Sequence, residues 1–255
     1  MLTIIKIGGN VINDDAKLRE FLWQFKQYPG HKILVHGGGK EATELSREMG
    51  IETKMINGRR VTDRETLDIV IMVYAGLINK RIVSILQSMD CNALGLTGAD
   101  GHTIPARKRS PVPVDYGYVG DIISERINTP LIKSLIDKDI SPVFCAICNE
   151  PNGYLLNCNA DSVASALALA FAREESVNLI YCFEKPGVLA DVDDESSLIP
   201  LITRQNFETL CAKGVISGGM LPKISNALSA IEKGVAQVRI CEASNLLSDK
   251  GTIIG

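Results

Sequence analysis

The segment Leu2-Thr3-Ile4-Ile5-Lys6-Ile7-Gly8-Gly9-Asn10 constrains the fold most, because a run of apolar strand-forming residues carries one lysine and then breaks into paired glycines. The lysine sits at a strand end, and the loop beyond it has no side chains to keep a ligand from the backbone. A cation beside bare N–H groups suits a phosphate. The arrangement returns at Ile33-Leu34-Val35, which ends in His36-Gly37-Gly38-Gly39 and passes into a helical pattern over 40–49. Strand, glycine loop and helix in this order point N–H groups and the positive end of a helix dipole at an anion. A third glycine turn, Ser217-Gly218-Gly219-Met220-Leu221-Pro222-Lys223, delivers a lysine at the start of a helix that runs to Lys233. The second loop has no Ser or Thr after its lysine, as a P-loop requires, and it lacks the G-x-G-x-x-G spacing of dinucleotide folds, so both are set aside.

Between these loops the chain alternates strand and helix patterns. Helical periodicity runs over 14–28 through Leu18, Phe21, Leu22 and Phe25, until Pro29-Gly30 stops it. Asn57-Gly58, flanked by extended segments, signals a hairpin that sends Arg59 and Arg60 to opposite faces. Thr62-Asp63-Arg64-Glu65 has the form of a capping box, opening a helix to about Met89 whose apolar stripe could also serve a dimer interface. Strands are expected at 93–96, 140–145, 179–183 and 238–241, with a short last one within 251–254. Helices are expected at 129–138, 162–172 and 204–213. Repeated βα units with a β-rich insertion predict an α/β fold, its mainly parallel sheet covered on both faces.

A chain of 255 residues can bury a sizeable core as one large domain or two fused lobes. Its net charge of −3, without a basic block or acidic tail, argues against nucleic acid and anionic membranes as partners and leaves small-molecule chemistry. The first strand starts at Leu2 with no leader pattern, and no apolar run reads as a membrane span, so a cytoplasmic protein is expected. Seven cysteines, an odd number scattered through apolar segments, read as reduced thiols. Cys145 and Cys148 have redox or zinc spacing, yet no second pair accompanies them and they open no helix, so they are assigned to the core and no protein metal site is expected.

Chemistry concentrates in Asn157-Cys158-Asn159-Ala160-Asp161, just ahead of an Ala/Leu-rich helix. Two amides can orient a polar substrate, while Asp161 can fix nearby lysines or simply cap the helix. A guanidinium leaving the hairpin, from Arg59 or Arg60, can grip a carboxylate or be simply solvated. His36 reads as a hydrogen-bonding structural residue at a strand end.

With Lys6-Ile-Gly-Gly, His36-Gly-Gly-Gly, Asn57-Gly-Arg-Arg-Val-Thr, Asn157-Cys-Asn-Ala-Asp and Gly218-Gly-Met-Leu-Pro-Lys in this order, the chain resembles the amino acid kinase family over nearly its whole length. The resemblance implies a three-layer αβα sandwich in a single domain, with an acyl-amino-acid and dimerisation lobe over about 1–174 and an ATP lobe over about 175–255. It implies ATP-dependent phosphorylation of the γ-carboxylate of an N-acyl-L-glutamate, N-acetyl-L-glutamate first, as an early step of arginine and ornithine biosynthesis. Lys6 and Lys223 would stabilise the transferring phosphoryl group, and Asp161 would organise the two lysines. Gly8, Gly9, Gly37 and Gly38 would offer N–H donors to phosphate and substrate, with Gly187, Gly218 and Gly219 at the ATP phosphates. Arg60 and Asn157 would hold the amino-acid carboxylate, with Asn159 as a further substrate contact. The chemistry agrees independently: a γ-carboxylate is already ionised at neutral pH and attacks phosphorus without a general base. Alignment and positive charge do the rest, and Mg2+ arrives with the nucleotide.

Two departures bear on substrate and nucleotide. Arg59 stands where the family usually has leucine, and Glu184-Lys185 where it has Asp-Val. Arg59 raises a larger, acidic acyl group such as succinyl, although alternation on the strand turns it away from Arg60. Other readings are a kinase of aspartate, glutamate or an aminoadipate derivative, and a non-catalytic amino-acid or nucleotide sensor, which retention of both lysines and Asp161 disfavours. Arginine-inhibited hexamers of the family carry an N-terminal helix before the first strand, so an arginine-insensitive homodimer built on the helix after Thr62 is expected.

Overall fold

The computed structural model describes residues 1–216 and 220–255, the side chain of Pro222 excepted, so Gly218 and Gly219 lie outside the described residues. In chain order, β1 (Leu2–Ile7) leads through the short α1 (Gly9–Ile12) to α2 (Asp15–Gln27), β2 (His31–His36) and α3 (Gly39–Glu48). The hairpin β3 (Met55–Ile56) and β4 (Arg59–Arg60) precedes α4 (Arg64–Ile71), a π-helical stretch over Met72–Ile78, and α5 (Asn79–Ser88). Next come β5 (Ala93–Leu96), the paired β6 (Ala106–Lys108) and β7 (Gly120–Ile122), α6 (Thr129–Ile136) and β8 (Ser141–Cys145). The hairpin β9 (Ile147–Asn149) and β10 (Leu155–Asn157) then feeds α7 (Ala160–Phe171). The remainder supplies β11 (Val177–Phe183), β12 (Leu201–Ile202), α8 (Arg204–Ala212), α9 (Met220–Glu232), β13 (Gln237–Glu242) and β14 (Thr252–Ile254).

Eight strands form one sheet in the order β12-β14-β13-β11-β1-β2-β8-β5, with every neighbouring pair parallel except β13 and β14. The apolar residues of β1 are buried throughout, as a strand covered on both faces requires. Strands from residues 1–174 run from β1 to one edge, and those from 175–255 occupy the other side. The chain therefore reverses direction across the sheet at β1. Ligands of open α/β sheets bind beyond the carboxyl ends of strands at such a switch point, which is where β1 delivers Lys6. Helix α7 packs on β1, β2 and β11 beside α9, while α2 and α5 pack together, completing the three-layer αβα sandwich.

The start of α4 differs from the capping-box reading. Asp63, not Thr62, is its N-cap and accepts a hydrogen bond from the Thr66 N–H at 2.8 Å, which holds the Asp63 carboxyl below its ordinary range. Thr62 is instead held as extended backbone, since its N–H donates to Tyr116 O and its carbonyl accepts from Tyr118 N–H. A second difference concerns membranes. Among the described residues, the helical stretch Arg64–Ser88 is long and apolar enough, by length and composition, to cross a bilayer. Half of its most apolar window is buried within the fold, so its hydrophobicity belongs to the core.

Buried thiols behave as the odd cysteine count suggests. Burial pushes Cys145 up to about 12, and a hydrogen bond with Cys158 together with burial raises Cys148, leaving both as apolar packing groups.

Candidate active site

Beyond the carboxyl ends of β1 and β2 opens a cleft of about 570 Å³, lined by Lys6, Gly9, Gly37, Gly38, Arg60, Asn157 and Asn159 among others. These residues come from distant parts of the sequence. Parallel pairing sets Lys6 of β1 level with Val35 of β2 and Tyr181 of β11, one residue short of the two loops.

Lys6 Nζ lies 2.7 Å from Asp161 Oδ1, with both side chains largely withdrawn from water. Among the described residues Oδ1 has this ion pair but no hydrogen-bond donor. Asp161 sits in the first turn of α7, where the helix dipole favours a carboxylate. It is not the cap: Asn159 is, its Oδ1 accepting from the Ser162 N–H at 3.1 Å. Lys223, near the start of α9, joins the same cluster. Burial lowers its pKa, the Asp161 charge works against that shift, and Lys6 reinforces it. Both ammonium groups also lie over the Phe183 ring, Lys223 Nζ 4.1 Å and Lys6 Nζ 4.8 Å from its centroid. Two like charges thus share one carboxylate and one aromatic ring, which lowers the cost of holding both beside a low-dielectric core.

The glycines divide by role. Gly9, Gly37 and Gly38 all open onto the cleft, and at Gly9 a Cβ would meet nothing within 4 Å among the described residues. Gly8 requires a correction: its N–H donates to Cys182 O at 2.9 Å, because the β1–β11 ladder extends one residue further and takes that donor from any phosphate. Gly187 does not line the cleft. A Cβ there would meet Leu198 Cδ1 at 2.6 Å and Thr252 Oγ1 at 2.7 Å, so close packing on β14 accounts for it.

Arg60 and Arg59 separate as strand alternation requires, Arg60 buried and Arg59 exposed, though both contribute to the cleft wall. The Arg60 NH2 group donates to Gly39 O and Thr43 Oγ1, each at 2.8 Å, and NH1 donates to Thr53 Oγ1 at 3.2 Å. Its Nε–H and one NH1 hydrogen have no acceptor among the described residues and remain for a ligand. Asn157 donates to Thr62 Oγ1 at 3.0 Å, which turns the amide toward the cleft beside Arg60.

Some functional contacts escaped the sequence reading. Asn10 Nδ2 donates to Glu184 Oε1 at 2.6 Å, tying α1 to the residue after β11, while Asn10 Oδ1 is buried with no donor among the described residues. The Glu184 carboxylate also acts on Lys223, so the acidic charge expected at this position is kept on a longer side chain. Phe183 and Tyr74 carried no sequence signal beyond their place in apolar runs. Among the described residues, no three His, Cys, Asp or Glu side chains are grouped to hold a metal ion.

A parallel sheet with two lysines, one aspartate and glycine loops at its switch point is the architecture of a small-molecule phosphotransferase. The chain matches the amino acid kinase family over residues 1–242 and belongs to it. It is 48% identical over 253 residues to the acetylglutamate kinase of Phocaeicola vulgatus, covering 99% of this chain and 98% of that one. The acetylglutamate kinase of Bacteroides thetaiotaomicron is 49% identical over 253 residues, with the same coverage of 99% and 98%. Among solved structures, smu.665 from Streptococcus mutans UA159 superposes with a TM-score of 0.82 at 29% identity, covering 99% of this chain and 98% of that one.

Proposed function

We propose that this chain uses ATP to phosphorylate the γ-carboxylate of N-acetyl-L-glutamate, forming an acyl phosphate in an early step of arginine and ornithine biosynthesis. The carrying observation is the Lys6–Asp161 ion pair, with Lys223 on the same Phe183 ring, at a cleft whose other wall presents Arg60 and Asn157. Arg60 and Asn157 orient the acyl-glutamate by its α-carboxylate, directing the γ-carboxylate toward Lys6. The attacking oxygen is already anionic, so no proton has to be removed. Lys6, Lys223 and the Gly9 backbone offset the charge that spreads over the transferring group, in positions fixed before the reaction begins. Mg2+ reaches the site on the nucleotide phosphates.

In this reading residues 1–174 hold the acyl-amino acid and residues 175–255 the nucleotide. The enzyme works in the cytoplasm as a homodimer. Support for the dimer comes from Met72 and Leu77, 49% and 57% exposed on the helical stretch after Thr62, and Leu94, 40% exposed on edge strand β5. A second acyl group is favoured by one observation: the cleft wall includes Arg59 and Arg109 besides Arg60, which suits an acyl chain ending in a carboxylate, such as succinyl. ADP release with Mg-ATP and, separately, N-acetyl-L-glutamate, N-succinyl-L-glutamate, L-glutamate and L-aspartate tests both readings. Turnover confined to free amino acids, or absent with all four, contradicts the proposal.

A further inference from the structure

Tyr74 belongs to none of the motifs that mark the site. It lies in the π-helical stretch Met72–Ile78, a geometry rare in proteins and concentrated where function demands a shifted side chain. From that stretch Ile78 and Tyr74 press on the second glycine loop: a Cβ on Gly38 would lie 2.3 Å from Ile78 Cδ1 and 2.8 Å from Tyr74 Cδ1. The tyrosine ring is 6% exposed, and its hydroxyl end reaches the cleft wall. A Cβ built on Gly39 would stand 3.8 Å from Tyr74 Oη and 3.9 Å from Arg60 NH2, so the phenol and the guanidinium flank the same backbone position.

Among the described residues the Tyr74 hydroxyl forms no hydrogen bond, whereas the equally buried Tyr181 hydroxyl donates to Asp161 O. The ring is buried but the hydroxyl oxygen is not, so the phenol opens on the cleft with its donor available to a ligand. Burial pushes the Tyr74 pKa up against the opposing Arg60 charge, so the group is a neutral O–H donor at physiological pH. Arg60 keeps only Nε–H and one NH1 hydrogen for a ligand, while a carboxylate offers about four lone-pair sites. Room is left for another donor.

We propose that Tyr74 is a substrate-binding residue whose hydroxyl donates to the α-carboxylate of the N-acyl-L-glutamate held on Arg60. The assignment rests on the acyl-glutamate reading above and adds a ligand to it. Replacement by phenylalanine retains the ring that packs on Gly38 and removes the donor alone. Tyr74→Phe should raise KM for N-acetyl-L-glutamate about ten-fold, the scale of a hydrogen bond to a charged group, with kcat, KM for ATP and thermal midpoint unchanged. With N-acetyl-L-isoglutamine, in which an amide replaces the α-carboxylate and the γ-carboxyl is intact, the two proteins should show the same KM. An unchanged KM for N-acetyl-L-glutamate, or an equal rise with the α-amide compound, overturns the assignment. If the unsubstituted enzyme turns over neither compound, the functional reading fails separately, and titration calorimetry with N-acetyl-L-glutamate decides Tyr74: about ten-fold weaker binding by Tyr74→Phe supports it, and equal or absent binding overturns it.

Discussion

Asn79 Nδ2 lies 3.0 Å from His36 Nε2, and this contact fixes the protonation state of a buried histidine. The same Nδ2 donates to Val143 O at 2.9 Å, while Asn79 Oδ1 accepts from Lys80 Nζ at 3.2 Å, so the amide orientation is determined. Nε2 must then accept, which leaves the ring proton on Nδ1, 2.8 Å from Gly37 O. His36 is thereby a strut between the end of the π-helical stretch and the glycine loop.

This geometry sets a pH dependence of stability. Burial lowers the His36 pKa from 6.5 to about 4, so between those values the unfolded chain binds the proton more readily. The contribution is complete above about 6.5 and is lost as pH falls toward 4. Its size is on the order of 3 kcal/mol. His36→Asn retains a donor for Gly37 O but does not titrate. Urea midpoints at pH 7 and pH 4.5 should fall further for the unsubstituted protein than for the variant, and an equal fall contradicts the assignment.

Glycines of the two loops should respond differently to a methyl group. Gly38→Ala drives Cβ into Ile78 Cδ1 and the Tyr74 ring and should cost about 1–3 kcal/mol, whereas at Gly9 no atom of the described residues lies within 4 Å of the added carbon. Calorimetry should show a thermal midpoint lowered by several degrees for Gly38→Ala and nearly unchanged for Gly9→Ala. Equal effects would mean that the loop is not packed on the π-helical stretch.

In the proposed reaction Lys223 serves as a cation, and burial holds its pKa below its ordinary 10.5. As pH rises it should lose its proton earlier than an exposed lysine, giving kcat an alkaline decline. Lys223→Arg keeps the charge throughout. The residual kcat of the variant should stay level across the range in which the unsubstituted enzyme declines, and a parallel decline would assign the limb to another group.

How much of this could be read from the chain depends on the range of each interaction. Lys6 at its strand end, the loop at Gly37 and Gly38, and the amides before α7 were visible because apolar periodicity and glycine spacing are local signals. The hairpin at Asn57-Gly58 likewise sent Arg59 and Arg60 to opposite faces, and the structure puts Arg60 inside. Thr62 misled because its four-residue pattern matched a capping box, while pairing with Tyr116 and Tyr118 outweighed it. The Lys6 contact with the Phe183 ring, the Asn10–Glu184 hydrogen bond and the loss of the Gly8 donor to Cys182 each join β1 or α1 to the end of β11, far away in sequence, and Lys223 reaches the same ring from α9. No local pattern encodes them. Gly187 was assigned to phosphate by resemblance, although its own neighbours give it a packing reason.

The most direct test is chemical capture of the product. With Mg-ATP, N-acetyl-L-glutamate and hydroxylamine, the enzyme should yield the γ-hydroxamate in amounts equal to the ADP released, because an acyl phosphate reacts rapidly with that nucleophile. Lys6→Met should lower the rate about 10²–10³-fold, the usual effect of removing one preorganised charge-stabilising group. ADP release without hydroxamate, or a Lys6→Met variant as active as the parent, would contradict phosphoryl transfer to the carboxylate at this cluster.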